Sequence, residues 1–123
     1  MGYTVVDTDE VAPEPDRPCT LRRLADAAGL SQMALNRFTA DPGEQLPLAY
    51  HYHDEQEEAF YVLSGTLHVE TPEGPFEIAE DGLFAVDPDS PQRAYNPADA
   101  DETVDVIAIG APPASDDAHA YEP

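Results

Sequence analysis

The residues with the clearest chemical content are His51, His53 and Glu58, set in the stretch HYHDEQEEAFYVLSG. Residues two apart on a β-strand point to the same face, so the two imidazoles project into one space. The acidic turn formed by Asp54, Glu55, Gln56 and Glu57 can fold the chain back and bring Glu58 into that space from the next strand. Two nitrogen donors and one carboxylate on a single wall make a facial triad, a ligand set suited to open first-row transition-metal sites. Gly65 then ends the second strand at a position that fits a turn. An isolated His-x-His is more often a pair of surface or hydrogen-bonded histidines; Glu58 and Gly65 in register lift this pattern above that background. Glu57 is the rival carboxylate, but a pleated strand aims it outward.

This stretch resembles the first sequence motif of the cupin superfamily. The resemblance implies a small β-barrel whose inward-facing histidines and glutamate hold one divalent metal. A weaker copy of the superfamily's second motif follows in DGLFAVDPDSPQRAYN. The family pattern there is a glycine, a proline, a second glycine, a histidine and an asparagine. Aligned on Asn96, the chain carries Asp81, Asp87, Asp89 and Gln92 at the first four positions. A shift of one residue matches Gly82 and Pro88 instead, but it puts Arg93 at the ligand position and loses the asparagine. The first register keeps the SPxRxYN ending common in small cupins, and neither register supplies a histidine. The resemblance spans residues 33 to 110 and implies His51, His53, Glu58 and Gln92 as the metal ligands. It leaves the ion open among manganese, iron, nickel and zinc.

A glutamine oxygen is neutral and a weaker donor than imidazole. The expected site therefore retains metal less tightly and leaves more positions for water or a small-molecule ligand. Such geometry suits oxygen activation, or Lewis-acid polarisation of a carbonyl or diol. Two functions follow: an oxygenase, isomerase or lyase with no catalytic residue yet assigned, and a non-catalytic small-molecule-binding barrel emptied of metal. Because the fold hosts unrelated functions, it does not choose between them.

The charge is the second feature. The chain has 123 residues, 26 acids, five arginines, four histidines and no lysine, for a formal charge of −21. Such a chain repels nucleic acid and anionic membranes in dilute salt. High charge with few apolar residues commonly means disorder, but regular apolar strands occupy residues 33 to 110. A salt-adapted surface accounts for both facts, because in molar salt the screening length shrinks to about 3 Å. The charge points to a halophile's salt-rich cytoplasm. With only Cys19, no internal disulfide can form. No apolar run approaches the roughly 18 residues that a membrane-spanning helix needs, and no signal-peptide pattern opens the chain.

Length and pattern predict a single all-β domain, an antiparallel jelly-roll barrel with one short N-terminal helix. Residues 1–32 read as an arm and short helix, 33–110 as the barrel, and 111–123 as an extended tail. Strands are expected near 33–39, 46–53, 58–64, 66–71, 75–79, 83–87, 91–96 and 103–109. Thr20 resembles an N-cap for a helix over 20–29 that stops at Gly29. The segment LRRLADAAGLSQMALNRF also resembles a helix-turn-helix, and four of the five arginines lie in residues 17 to 37. Against DNA binding stand the total charge, the short preceding segment, and the fit of MALNRFTADPGE to a strand and turn.

Four further expectations concern single residues. A bulge at Ser64-Gly65 turns His68 to the exterior. His119 sits in the tail without a partner pattern. Arg93 and Tyr95 read as packing and ion-pair residues, with anion binding by Arg93 as the alternative. The outward strand positions Tyr61 and Leu63 need cover, which points to a homodimer.

Dilute salt extends the screening length to about 30 Å at roughly 0.01 M, so the carboxylates repel across the whole surface. The melting temperature should fall in dilute buffer and recover in molar salt or at mildly acid pH. Thermal unfolding across a salt series checks this; an unchanged melting temperature refutes the salt-adapted surface.

Overall fold

The computed structural model describes residues 2–113 and 117–123. An N-terminal arm with a short 3-10 turn at Thr8–Glu10 leads into β1 (Thr20–Arg23), α1 (Leu24–Ala28) and β2 (Ala34–Ala40). There follow β3 (His51–His53), β4 (Glu57–Ser64), β5 (Leu67–Thr71) and β6 (Gly74–Ile78). The chain continues through β7 (Leu83–Val86), β8 (Arg93–Tyr95), β9 (Val104–Ala111) and β10 (Ala118–Ala120).

These strands form an antiparallel two-layer barrel. One layer runs β1-β2-β9-β4-β7; the other contains β6-β5-β8, extended by β3-β10. Reciprocal backbone hydrogen bonds between His51 and Gln92 join β3 to the chain entering β8. The period-2 alternation in β4 and β9 buries Phe60, Val62, Val104, Val106 and Ala108 from one layer. Leu67, Val69 and Ala94 meet them from the other, within one continuous core.

Three expectations change. Thr20 begins a strand rather than capping a helix, because its register with Thr39 draws it into the ladder with β2. Arg23 occupies the N-cap without a side-chain cap bond, and the helix is limited to Leu24–Ala28 before left-handed Gly29. A five-residue helix between two strands leaves no helix-turn-helix over residues 20 to 38. The strand expected over 46–53 is interrupted. Leu46 donates its N–H to Ala94 O, but Pro47 has none to offer, and pairing resumes only at His51.

The bulge forms at Val62/Ser64, just ahead of Gly65. Gly65 has φ +78°, and a Cβ there would lie 2.5 Å from the Thr103 carbonyl oxygen. Only glycine fits this backbone crossing. The outer face of β9-β4-β7 leaves Tyr61, Leu63, Leu83 and Ile109 exposed at 38, 39, 65 and 41%. Among the described residues no helix is long and apolar enough to cross a membrane.

Candidate metal centre

β3 and β4 supply the predicted triad. His51, His53 and Glu58 converge so that one ligand atom from each lies within 4.8 Å of the others. They share a cavity of about 300 Å³ with Gln92, Gln56, Arg17, Arg23 and an apolar wall that includes Leu21, Phe38 and Phe60. Gln92, the weakest of the sequence-derived candidates, is buried at 3% exposure on the strand beside His51.

The outer ring nitrogens fix the tautomers. His51 Nδ1 lies 3.0 Å from Ala49 O. A carbonyl oxygen can only accept, so Nδ1 carries the proton and Nε2 keeps its lone pair. Burial lowers the His51 pKa despite that bond, with His53 and Arg17 adding to the effect, and this favours the neutral ring. His53 Nδ1 lies 2.7 Å from Asp117 Oδ1, an arrangement that likewise frees Nε2 toward the cavity. That Nε2 is 3.4 Å from Glu58 Oε1. With Nδ1 engaged by Asp117, Nε2 and the Glu58 carboxylate oxygen face each other across the space that a cation would occupy.

Two buried oxygens point the same way. Glu58 Oε1 and Gln92 Oε1 are both buried without a hydrogen-bond donor from the protein, a costly condition for buried polar atoms. Burial raises the Glu58 pKa first, and nearby Asp117 adds to it; His53 and the Gln92 amide oppose it. A carboxylate held this way gains most from a cation. The donor set of two imidazoles, a carboxylate and an amide oxygen fits a divalent first-row ion.

Asp117 is the residue that sequence reading missed. Its Oδ2 accepts from the backbone N–H groups of Glu55 (3.0 Å) and Gln56 (3.1 Å), while Oδ1 accepts from His53. Burial alone would raise its pKa, but these three donors prevail and bring it down to about 2. Gln56 is a second missed residue, packed over Gly110, where a Cβ would lie 2.6 Å from its side chain. Its Nε2 donates to Pro112 O at 3.1 Å.

His119 does have partners, contrary to expectation. Its Nε2 is 2.7 Å from Asp54 Oδ2, and its ring stacks on Tyr52 at 5.2 Å. Within the tail, Ala118–Ala120 form a strand paired along β3. His68 faces away from the core toward Glu77, and it does not reach the cavity. Arg93 pairs with Glu70, donates to Gln45 Oε1 at 3.0 Å and lies over the Tyr95 ring. These contacts hold it outside the cavity lining. Asn96 is buried and donates to the carbonyls of Ala40 and Glu102, which ties the strand after the cavity to β2.

An antiparallel two-layer barrel with a His-x-His and a glutamate at one end of its cavity defines the cupin class. The family model described as Cupin domain matches residues 36–109, over half of the chain, and the chain belongs to that family. No curated protein matches it. Among solved structures, a cupin-superfamily sugar phosphate isomerase from Silicibacter pomeroyi is similar at 26% identity and TM-score 0.75. That similarity covers 88% of this chain and 75% of that one. A protein from Acidithiobacillus ferrooxidans with a provisional sugar phosphate isomerase name is similar at 29% identity and TM-score 0.68. The match covers 76% of this chain but only 58% of that protein's length. The polyketide cyclase RemF from Streptomyces resistomycificus shares the fold at 20% identity and TM-score 0.74, over 94% and 89% of the two chains.

The depressed Asp117 pKa has a defined sign. Its carboxylate stabilises the fold above the ordinary value of 3.8, and that contribution is lost as pH falls toward about 2. Asp117→Asn should therefore be less stable than the parent above about pH 4, with the gap narrowing as pH falls toward 2. Paired denaturant titrations across this range measure it; a gap that does not change with pH refutes the assignment.

Proposed function

We propose that His51, His53 and Glu58 hold a divalent transition metal, with Gln92 in the fourth protein position, and that the site acts on a small organic molecule. The observation that carries this reading is the pair of buried, undonated oxygens on Glu58 and Gln92 beside two imidazoles. Bound there, the ion would supply Lewis acidity toward a carbonyl or hydroxyl oxygen. The chain's own residues hold the tautomers, exclude water with the wall of Leu21, Phe38 and Phe60, and orient the ligand. Of the reaction classes open to such a site, isomerisation is supported by the name of the Silicibacter pomeroyi relative.

One observation favours a second reading, a binding module without turnover. Among the described residues lining the cavity, Glu58 is the sole carboxylate and His51 and His53 are the two imidazoles. All three are proposed ligands, so a proton shuttle would have to come from one of them or from the ligand itself. Substrate turnover by metal-loaded protein separates the two readings.

Replacing His51, His53 or Glu58 with alanine should each lower metal affinity by more than the roughly 10–100-fold typical of a lost supporting contact. Asp117→Asn should fall within that smaller range. Gln92→His should tighten binding by restoring an imidazole. Calorimetric titration of manganese, iron, nickel and zinc into stripped protein reads all five variants. If stripped wild type binds none at micromolar concentration, the metal reading fails and the empty binding barrel replaces it.

The exposed outer face supports a homodimer. Tyr61 lies opposite Ile107 and Leu83, and Ala59 opposite Ile109 and Ala85, which makes a continuous apolar strip. Light scattering in molar salt should give twice the 13.3 kDa chain mass. Ile109→Asp should shift it to the monomer. A monomeric parent refutes the assembly.

A further inference from the structure

Acidic residues outnumber basic ones by 26 to 5 in this chain. The cavity reverses that ratio: Arg17 and Arg23 both line it, against the single carboxylate of Glu58. Two of five arginines have been placed where nearly every carboxylate is kept out. Their states differ. Arg23 is paired with Glu14 at 3.2 Å. Arg17 makes no ion pair among the described residues; its Nη2 donates to Leu46 O at 3.2 Å. Its Nε is buried without an acceptor.

An unanswered guanidinium donor in a chain so rich in carboxylates needs an explanation, because a buried unpaired donor is costly. Burial, and then the repulsion from Arg23, hold the Arg17 pKa below its ordinary value. The unused donor beside a second guanidinium in one cavity suits an anionic partner from outside the chain. Arg17 also lines the adjoining opening beside His51, His53 and His119. Arg17 thus borders both hollows that His51 and His53 line.

We propose that Arg17, reinforced by Arg23, forms an oxyanion subsite, so that the ligand of this cavity is a small organic acid or phosphate ester. The inference rests on the small-molecule reading of the cavity. The oxyanion is held by the Arg17 guanidinium, and the body of the molecule lies against the apolar wall of Leu21, Phe38, Leu46 and Phe60. Its other polar end faces His51, His53 and Glu58. The guanidinium fork matches carboxylate and phosphate oxygens alike, so the two sources share one chemistry. A cavity of about 300 Å³ limits the ligand to a small molecule.

The test uses metal-free protein, so that the subsite is read apart from the metal. Malonate, inorganic phosphate and the uncharged analogue malonamide are titrated at constant ionic strength into wild type, Arg17→Gln and Arg17→Lys. Wild type should bind malonate or phosphate and not malonamide, and whichever anion binds identifies the source. Arg17→Gln should weaken that binding roughly tenfold or more, with Arg17→Lys intermediate. Zinc affinity, titrated without oxyanion, should be nearly the same in all three. Binding of neither anion to wild type overturns the proposal. So does equal binding by Arg17→Gln, or a variant that lowers only the melting temperature. Loss of zinc binding in wild type with anion binding still dependent on Arg17 rejects the metal reading and leaves the subsite standing. Zinc binding with anion binding independent of Arg17 does the reverse.

Discussion

Asp117 gathers three donors from one short stretch of chain: the imidazole of His53 and the backbone N–H groups of Glu55 and Gln56. Without this carboxylate, the backbone N–H groups of Glu55 and Gln56 in the turn between β3 and β4 would lose their acceptor, and His53 would be free to choose either tautomer. With it, the His53 lone pair is directed inward and the chain enters β4 at the angle that delivers Glu58. A carboxylate behind a ligating histidine also raises the basicity of the ring. The pairing of β10 with β3 and the stacking of His119 on Tyr52 hold Asp117 in place. The C-terminal strand is thus part of the site's framework.

The distribution of charge follows from scarcity. Five arginines must serve a chain with 26 acids, and the structure uses each at a junction. Arg37 makes a two-pronged contact with Asp105 at 3.0 and 2.6 Å, and it also reaches Thr8 and Asp9. It pins the N-terminal arm against β2 and β9. Arg22 donates to Val11 O, which fastens the same arm. Exposed pairs such as Arg23–Glu14 contribute about 1 kcal/mol at most, so their value lies in placing the arm rather than in stability. Five arginines cannot neutralise 26 acids, so screening of the remaining carboxylates falls to solvent ions.

How much of this could be read from the chain depended on sequence distance. His51, His53 and Glu58 are within eight residues, and strand alternation with one turn suffices to bring them together. Gln92 was reached through a motif position, since nothing local marks a glutamine for a place in the cavity lining. Asp117 is 64 residues from His53, in a tail without hydrophobic rhythm, so no local rule could pair them. Thr20 misled because its capping chemistry is real but weaker than a ladder with β2 that local sequence does not reveal. Arg93, adjacent to a conspicuous motif, drew the anion-binding alternative; Arg17, in a proline-rich arm, drew none. What separates them is that Arg93 is engaged by Glu70, Gln45 and Tyr95 while Arg17 lines the cavity, and both facts belong to the assembled barrel.

The wide separation of His53 and Asp117 has a consequence for the order of events as the chain is made. At roughly 5–20 residues per second, residue 117 emerges about 3–13 s after residue 53. Throughout that interval the nascent chain already carries His51, His53 and Glu58, but the second histidine has no fixed tautomer and the turn amides are open to water. On the proposed metal reading, an ion captured early would meet a pliable and weak chelator, whereas one captured after Asp117 has docked would meet a preorganised pocket. The fidelity of loading would then rest on a race between translation and the local supply of competing ions.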